Sequence, residues 1–195
     1  MSSPGLRERK KQKTRWSIQE HALRLFREQG YEDTTVDQIA AAAEVSPSTF
    51  FRYFKTKEDV VLHDEWDPVF VRYLTEAPAG LSLVAAMRYA LREGLADFDD
   101  ADRTKTLQRA DLMLRVPAVR MRLLDNVATT IDLIAEAAAA RTGEPAGSAR
   151  LRAYAGACCG ALLGAMSTWL ASDRSADPIQ VMDQALAELE SGFGS

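Results

Sequence analysis

Residues 35–54 read TVDQIAAAAEVSPSTFFRYF, and the order of residue types in this stretch decides the fold. Thr35 and Gln38 have the spacing of a capping box, in which a hydroxyl and an amide satisfy the free backbone donors of a helix start. Val36, Ile39, Ala40 and Ala43 then form the apolar stripe of a short helix. Ser46 followed by Pro47 begins another: serine caps, and proline fits a first turn whose N–H would have no intrahelical partner. That second helix ends near Phe54. Two short helices joined by a tight turn make a helix-turn-helix, the unit that lays its second helix in the major groove of DNA. Ser46, Pro47, Ser48 and Thr49 are small enough for close approach to a groove. Phe50 and Phe54, four apart, anchor the back of the helix toward Ile39 and Phe26. Arg52 and Tyr53 project where base edges or phosphates would lie, Arg52 for a paired contact to guanine and Tyr53 for a phosphate oxygen.

Working outward, Ile18, Ala22, Leu25 and Phe26 recur at helical spacing in a preceding helix. Gly30 stops that helix where a left-handed residue is wanted, and Tyr31 packs back. Thr56 to Asp59 caps a fourth helix, and Lys57 at its start is placed to act on a phosphate together with the helix terminus. Further helices are predicted near 57–75, 81–98, 104–115, 118–141, 149–172 and 179–191, divided at turn-forming segments such as Val116-Pro117. No alternating β-branched run of convincing length appears. The expectation is an all-α chain: residues 1–57 as an N-terminal arm and three-helix helix-turn-helix domain, and residues 58–195 as a helical effector-binding and dimerisation domain.

Charge supports that division. The chain carries a net charge of -4, which taken alone argues against nucleic acid. Residues 1–57 hold 11 Lys or Arg against 7 Asp or Glu, whereas the rest hold 13 against 21. A basic head on an acidic body is the asymmetry of a protein that meets phosphate at one end. A solvated tail accounts for Arg7 to Lys13 but not for the ordered pattern after it. The opening has no secretory-signal pattern, and the adjacent Cys158 and Cys159 suit neither a disulfide framework nor zinc spacing. A cytoplasmic location is expected.

Residues 14–61, TRWSIQEHALRLFREQGYEDTTVDQIAAAAEVSPSTFFRYFKTKEDVV, resemble the N-terminal domain of TetR-family regulators. The run GY-x-x-TTV-x-x-IA-x-x-A-x-VS carries the likeness. The resemblance implies phosphate contacts from Thr35, Tyr53 and Lys57. It implies groove contacts from Pro47, Ser48, Thr49, Phe51 and Arg52, with Arg15 also on the DNA-facing side. It further implies a repressor released from its operator by a small-molecule effector. Glu44 stands where the family's turn usually has glycine, which a helical turn would tolerate. Phe51 replaces the usual tyrosine, and Tyr53 the usual histidine. The stretch from Phe50 to Pro68 is also similar to the subgroup containing mycofactocin regulators, whose effectors include acyl-CoA thioesters.

Reading two half-sites about one helical turn, ~34–36 Å, apart takes two copies of so small a head. Ile179, Met182, Leu186, Leu189 and Phe193 recur in steps of three and four as a seam for another helix. Gly156, Gly160 and Gly164, beside Ala153, Ala157, Ala161 and Ala165, would let helix backbones approach closely. The resemblance agrees, since the last two helices of each TetR-like subunit form a four-helix dimer bundle. Ala153 to Ser172 is also uncharged for 20 residues, long enough to span a bilayer. Small residues dominate it and no polybasic flank orients it, so a helix buried by a dimer explains it equally well, and no membrane partner is expected.

Trp66, Phe70, Met87, Leu91, Met113, Met121, Leu124 and Trp169 are candidates to line a cavity for a small apolar or amphipathic effector, because Met and aromatic groups suit adaptable pockets. Taken singly, each also fits ordinary core. His63 to Asp67 gathers metal-competent groups, but consecutive helical positions point apart. His21 sits at the edge of the first helix's apolar stripe. No nucleophile motif, phosphate-cradling loop or paired catalytic carboxylates stand out. The expectation is therefore a non-enzymatic regulator without metal or cofactor.

Overall fold

The computed structural model describes residues 6–63, 67–96 and 98–193, among which there are ten helices and no strand. Trp66 lies outside the described residues, and the side chain of Leu124 is likewise not described. The chain forms two compact units.

The first unit holds the described residues up to His63 together with Thr104–Arg122. Helix α1 (Leu6–Gln29) runs through the segment read as a charged tail and stops at Gly30, whose φ of 90° is the left-handed conformation expected there. Tyr31 packs back as expected, its ring centroid 4.8 Å from that of Phe26. Helix α2 (Val36–Ala42) carries the full Thr35–Gln38 capping box, and α3 (Pro47–Tyr53) starts from the Ser46 cap with Pro47 in its first turn. Ile18, Ala22, Phe26, Ile39, Ala40, Phe50 and Phe54 are all buried, so the backward-facing phenylalanines do form the floor under α3.

The turn between α2 and α3 departs from expectation. Glu44 has φ 56°, a left-handed residue and not a helical one. The sharp reversal, with the Val45 N–H donating to the Ala40 carbonyl at 2.9 Å, requires that conformation, which costs a side-chain-bearing residue about 1–2 kcal/mol.

The helix expected over 57–75 is two helices, α4 (Lys57–Leu62) and α5 (Asp67–Glu76). His63 leaves helical geometry at ψ 116°. Gln19 of α1 supplies a side-chain partner for the carbonyls at this helix end, donating from Nε2 to Val60 at 2.8 Å and to His63 at 2.9 Å. A helix end without intrahelical partners needs such donors. The helix expected from residue 104 starts earlier, as α7 (Asp100–Arg115), because the Asp99 carboxylate accepts the Asp102 N–H at 2.8 Å and caps it.

The second unit comprises the described residues of Asp64–Arg103 and Leu123–Ser195. It contains α5, α6 (Leu83–Ala96), most of α8 (Pro117–Thr142), α9 (Ala149–Ala171) and α10 (Pro178–Ser191). Phe70, Leu74, Met87, Leu91, Ile134, Leu151, Cys158 and Leu186 form its core. Arg88 of α6 makes a paired contact to Asp183 of α10, at 3.0 and 2.9 Å, and reaches Glu190 at 3.2 Å. Arg141 of α8 donates to the carbonyls of Ala77 and Pro78 just beyond α5. Helix α9 is long and apolar enough to cross a membrane, yet Leu151, Ala155, Cys158, Cys159, Trp169 and Leu170 along it are buried within the protein.

Candidate nucleic-acid interface

Helix α3 is short but held tightly. The Ser46 hydroxyl oxygen accepts the Thr49 N–H at 3.1 Å and donates to Thr49 Oγ1 at 3.0 Å. Pro47 and Ser48 are exposed at its start and Thr49 is half-buried. Phe51 is 53% exposed, a large apolar ring left facing solvent, and it stands edge-on to buried Phe50 with centroids 5.5 Å apart. Arg52 is exposed and its guanidinium lies 5.4 Å from the ring centroid of half-buried Tyr53. Thr35 is exposed, its hydroxyl engaged in the α2 cap. The expected groove-facing residues thus lie together on one capped helix that carries a cation and aromatic rings.

Lys57 and Arg15 are placed differently. Lys57 Nζ donates to the carbonyls of Tyr31 at 2.7 Å and Thr34 at 3.1 Å, tying the start of α4 to the turn between α1 and α2. Arg15 is half-buried on α1, and its Nε is buried with no hydrogen-bond partner.

Polar contacts that the sequence did not single out complete the first unit. Tyr31 donates its hydroxyl to Glu58 Oε1 at 2.8 Å. Burial pushes the tyrosine upward in pKa, with Glu58 adding to it. Burial also opposes ionisation of Glu58, but the Tyr31 hydrogen bond, further hydrogen bonds around Thr56 and the nearby Arg122 charge outweigh it and hold the carboxyl low. Arg122, in the first turns of α8, reaches the Thr56 hydroxyl and Asp59 Oδ1, the latter at 3.1 Å. Arg109 of α7, only 4% exposed, donates from Nε to the Val61 carbonyl at 2.8 Å. The short α4 is therefore gripped at its start by Arg122 and at its end by Gln19 and Arg109. Partners this distant in sequence leave no periodic signal.

The residues considered for an effector cavity are spread out. Phe70, Met87 and Leu91 sit in the core of the second unit. Trp169 is buried in the same unit, and its indole N–H donates to the Ala176 carbonyl at 2.7 Å. Met113 and Met121 belong to the first unit, Met113 half-buried and Met121 78% exposed.

The residues considered for a dimer surface divide too. Leu186 is fully buried in its own chain's core, and Ile179, Met182 and Leu189 pack against that core. Helix α10 lies along α6 and α9, and Ile179, Met182 and Leu189 stay half-buried there. Phe193 is 73% exposed. Gly160 and Gly164 are exposed with Ala153 and Ala157 on α9, whereas Gly156 is half-buried, and a Cβ there would lie 3.8 Å from Ile131.

Comparison with known proteins decides the family. Residues 18–63 match the profile of bacterial regulatory proteins of the tetR family, and residues 81–194 match that of the MftR C-terminal domain. The chain belongs to the TetR family. Among its relatives, it is 42% identical over 122 residues to the HTH-type transcriptional regulator TcmR of Streptomyces glaucescens, a match covering 62% of this chain and 52% of TcmR. The chain thus spans about half the length of that relative. It is 27% identical over 168 residues to MftR of Mycobacterium tuberculosis, named for regulation of mycofactocin biosynthesis, covering 83% of this chain and 82% of that one. The fold matches Thermus thermophilus FadR, a repressor crystallised with lauroyl-CoA, at TM-score 0.59 and 26% identity over 93% of this chain and 95% of that one. A Syntrophomonas wolfei family member shares the fold at TM-score 0.66 and 16% identity, covering 94% and 97% of the two chains.

Proposed function

We propose that this TetR-family chain is a cytoplasmic, homodimeric repressor that binds operator DNA through α3 and leaves it when a small apolar or amphipathic effector binds the second unit. The observation that carries the reading is α3 itself. It is capped by Ser46, floored by buried Phe50 and Phe54, and presents Pro47, Ser48, Phe51 and Arg52 outward. Such a helix has groove-facing chemistry and no catalytic constellation, which favours a regulator over an enzyme. Thr35, Tyr53, Lys57 and Arg15 serve the phosphate backbone in this reading.

The lauroyl-CoA bound by the Thermus FadR supports an acyl-CoA thioester as the effector class here. Phe70, Met87, Leu91 and Trp169 are the side chains proposed to give way to its acyl chain. The exposed small residues of α9, Ala153, Ala157, Gly160 and Gly164, are proposed to meet a second copy, because small residues let helix backbones approach closely. Release follows only as far as the effector prefers the DNA-incompetent state.

The test is fluorescence anisotropy of the purified protein with DNA from upstream of its own gene, beside a scrambled duplex, across a salt series. Binding that favours the upstream DNA, saturates at two chains per site and weakens on adding lauroyl-CoA supports the whole reading. Loss of dimers in Gly160→Leu by sedimentation would support the α9 face. Absence of binding to either duplex at low salt would overturn the regulator reading.

A further inference from the structure

Helix α3 has two exposed edges of opposite character. Pro47 and Phe51 stand four positions apart, as do Ser48 and Arg52, so each pair is one helical turn of neighbours. All four residues are exposed. Ser48 and Arg52 offer a hydroxyl and a guanidinium, whereas the side chains of Pro47 and Phe51 hold no hydrogen-bonding group at all. The Phe51 ring is 53% exposed. Its inner side is backed by the ring of Phe50, with centroids 5.5 Å apart and planes at 86°. Phe50 is fully buried and leans in turn on buried Phe54, at 5.9 Å. The outward ring therefore rests on a packed aromatic floor. A single exposed apolar side chain is ordinary on a protein surface; the position of this one, on the helix proposed to enter the groove, gives it meaning. Base edges there carry donors and acceptors, which lose water without gaining a partner when a phenyl ring covers them. The apolar group displayed among them is the C5 methyl of thymine.

We propose that Phe51 is a specificity-determining residue that reads the C5 methyl group of a thymine in each half-site. The Pro47–Phe51 edge selects a T·A pair by apolar contact, and hydrogen-bonded readout falls to Arg52 on the neighbouring edge. A phenyl ring has no means of telling adenine from guanine by hydrogen bonds, so the methyl is what it can recognise. The inference rests on the DNA-binding reading above and names what one edge of α3 selects.

The experiment uses the full-length protein and DNA from upstream of its own gene, prepared once with thymine and once with uracil at every thymine position. Uracil keeps the pairing and every hydrogen-bonding group of the groove and removes only the methyl. Wild type, Phe51→Ala and Phe51→Leu are each titrated against both duplexes at one salt concentration. Comparing each protein with itself on the two duplexes cancels any folding defect the variant carries. Wild type should bind the uracil duplex about fourfold more weakly for each contacted methyl, the effect of burying one such group. That ratio should shrink in Phe51→Ala, the coupling expected of groups in contact, and persist in Phe51→Leu, which stays apolar. Uracil at single positions should then place the effect at one thymine in each half-site. Specific wild-type binding that ignores the methyl would overturn the proposal and leave α3 as the DNA contact. A uracil penalty undiminished in Phe51→Ala would assign the methyl to another residue. Equal weakening of Phe51→Ala on both duplexes, with the wild-type ratio kept, would place the ring against the sugar backbone. Tighter binding to 5-methylcytosine DNA, without any uracil penalty, would move the contact to a methylated cytosine and overturn the thymine assignment. Failure of wild type to bind either duplex at low salt would instead sink the regulator reading beneath it.

Discussion

The ammonium of Lys57 stands 4.1 Å from the ring centroid of Tyr31 and at the same time donates to the Tyr31 carbonyl oxygen at 2.7 Å. One cation thereby fixes both the backbone and the ring of the residue that follows the α1 stop. Its third contact, the Thr34 carbonyl at 3.1 Å, reaches the residue just before the α2 cap. Lys57 is thus a structural clasp inside the head as well as a candidate phosphate contact.

Lys57→Ala should therefore lose stability as well as DNA affinity. Hydrogen bonds to a charged group contribute about 1.5–3 kcal/mol, and a loss in that range is expected in urea unfolding. Tyr53→Phe, which keeps the ring and removes only the hydroxyl, should stay within about 0.5 kcal/mol of wild type. It should nevertheless weaken binding to all duplexes alike. A Lys57→Ala protein as stable as wild type would show that the clasp carries no weight, and unchanged affinity in Tyr53→Phe would remove that hydroxyl from the phosphate contacts.

Glu44 offers a gain. At φ 56° glycine is the relaxed residue, so Glu44→Gly should raise the unfolding midpoint, by about 1 kcal/mol in stability. Glu44→Ala keeps the left-handed strain and should not reproduce the gain. Removing a carboxylate from the helix-turn-helix should also tighten binding to any duplex at low salt. A midpoint that falls in Glu44→Gly would mean that the Glu44 side chain stabilises the turn in a way its backbone strain conceals.

What the sequence made legible was local. Thr35, Ser46 and Thr56 announce their helices because a cap and its target lie within three residues of each other, and Phe50 and Phe54 announce the buried side of α3 by spacing. What it hid was remote or relational. Gln19 and Val60 are separated by 41 positions, and Arg88 and Asp183 by 95; a polar group that meets its partner across such a gap leaves no pattern in either segment. The seam Ile179, Met182, Leu186 and Leu189 was readable as an apolar stripe, but a stripe does not say which helix covers it. Here α6 and α9 of the same chain cover Leu186 fully and the other three in part. Glu44 was recognised as an unusual residue for its turn, yet identity alone did not reveal that the turn is left-handed there.

The second unit should soften in acid. The Arg88 hydrogen bonds and charge hold Asp183 below the usual carboxylate range, overcoming its partial burial. A carboxylate depressed in the folded state contributes stability that is fully present above its unfolded pKa, about 3.9. That contribution is lost as pH falls through the lower folded value, because the unfolded chain binds the proton first. Asp183→Asn should be less stable than wild type at neutral pH, and the difference should shrink below about pH 4. A difference that stays constant from neutral pH into that range would show that Asp183 acts by packing and not by charge.

Arg109 carries the largest expected penalty. It is 4% exposed and donates to the Val61 carbonyl at 2.8 Å, at the end of a helix of 6 residues too short to hold itself. Arg109→Ala would leave a cavity and strand a buried carbonyl, with a loss of about 2–5 kcal/mol. Arg109→Lys keeps the charge but not the planar fork of donors, so it should recover only part of that loss. Because α4 begins at Lys57, loosening its far end should also free the clasp on Tyr31 and weaken DNA binding at temperatures where the head is still folded. Amide exchange resolved by segment checks both effects, with faster exchange expected first in residues 57–63 and then around Tyr31. Uniform acceleration across the first unit would show that Arg109 supports the core as a whole, and wild-type exchange throughout would show that α4 does not depend on it.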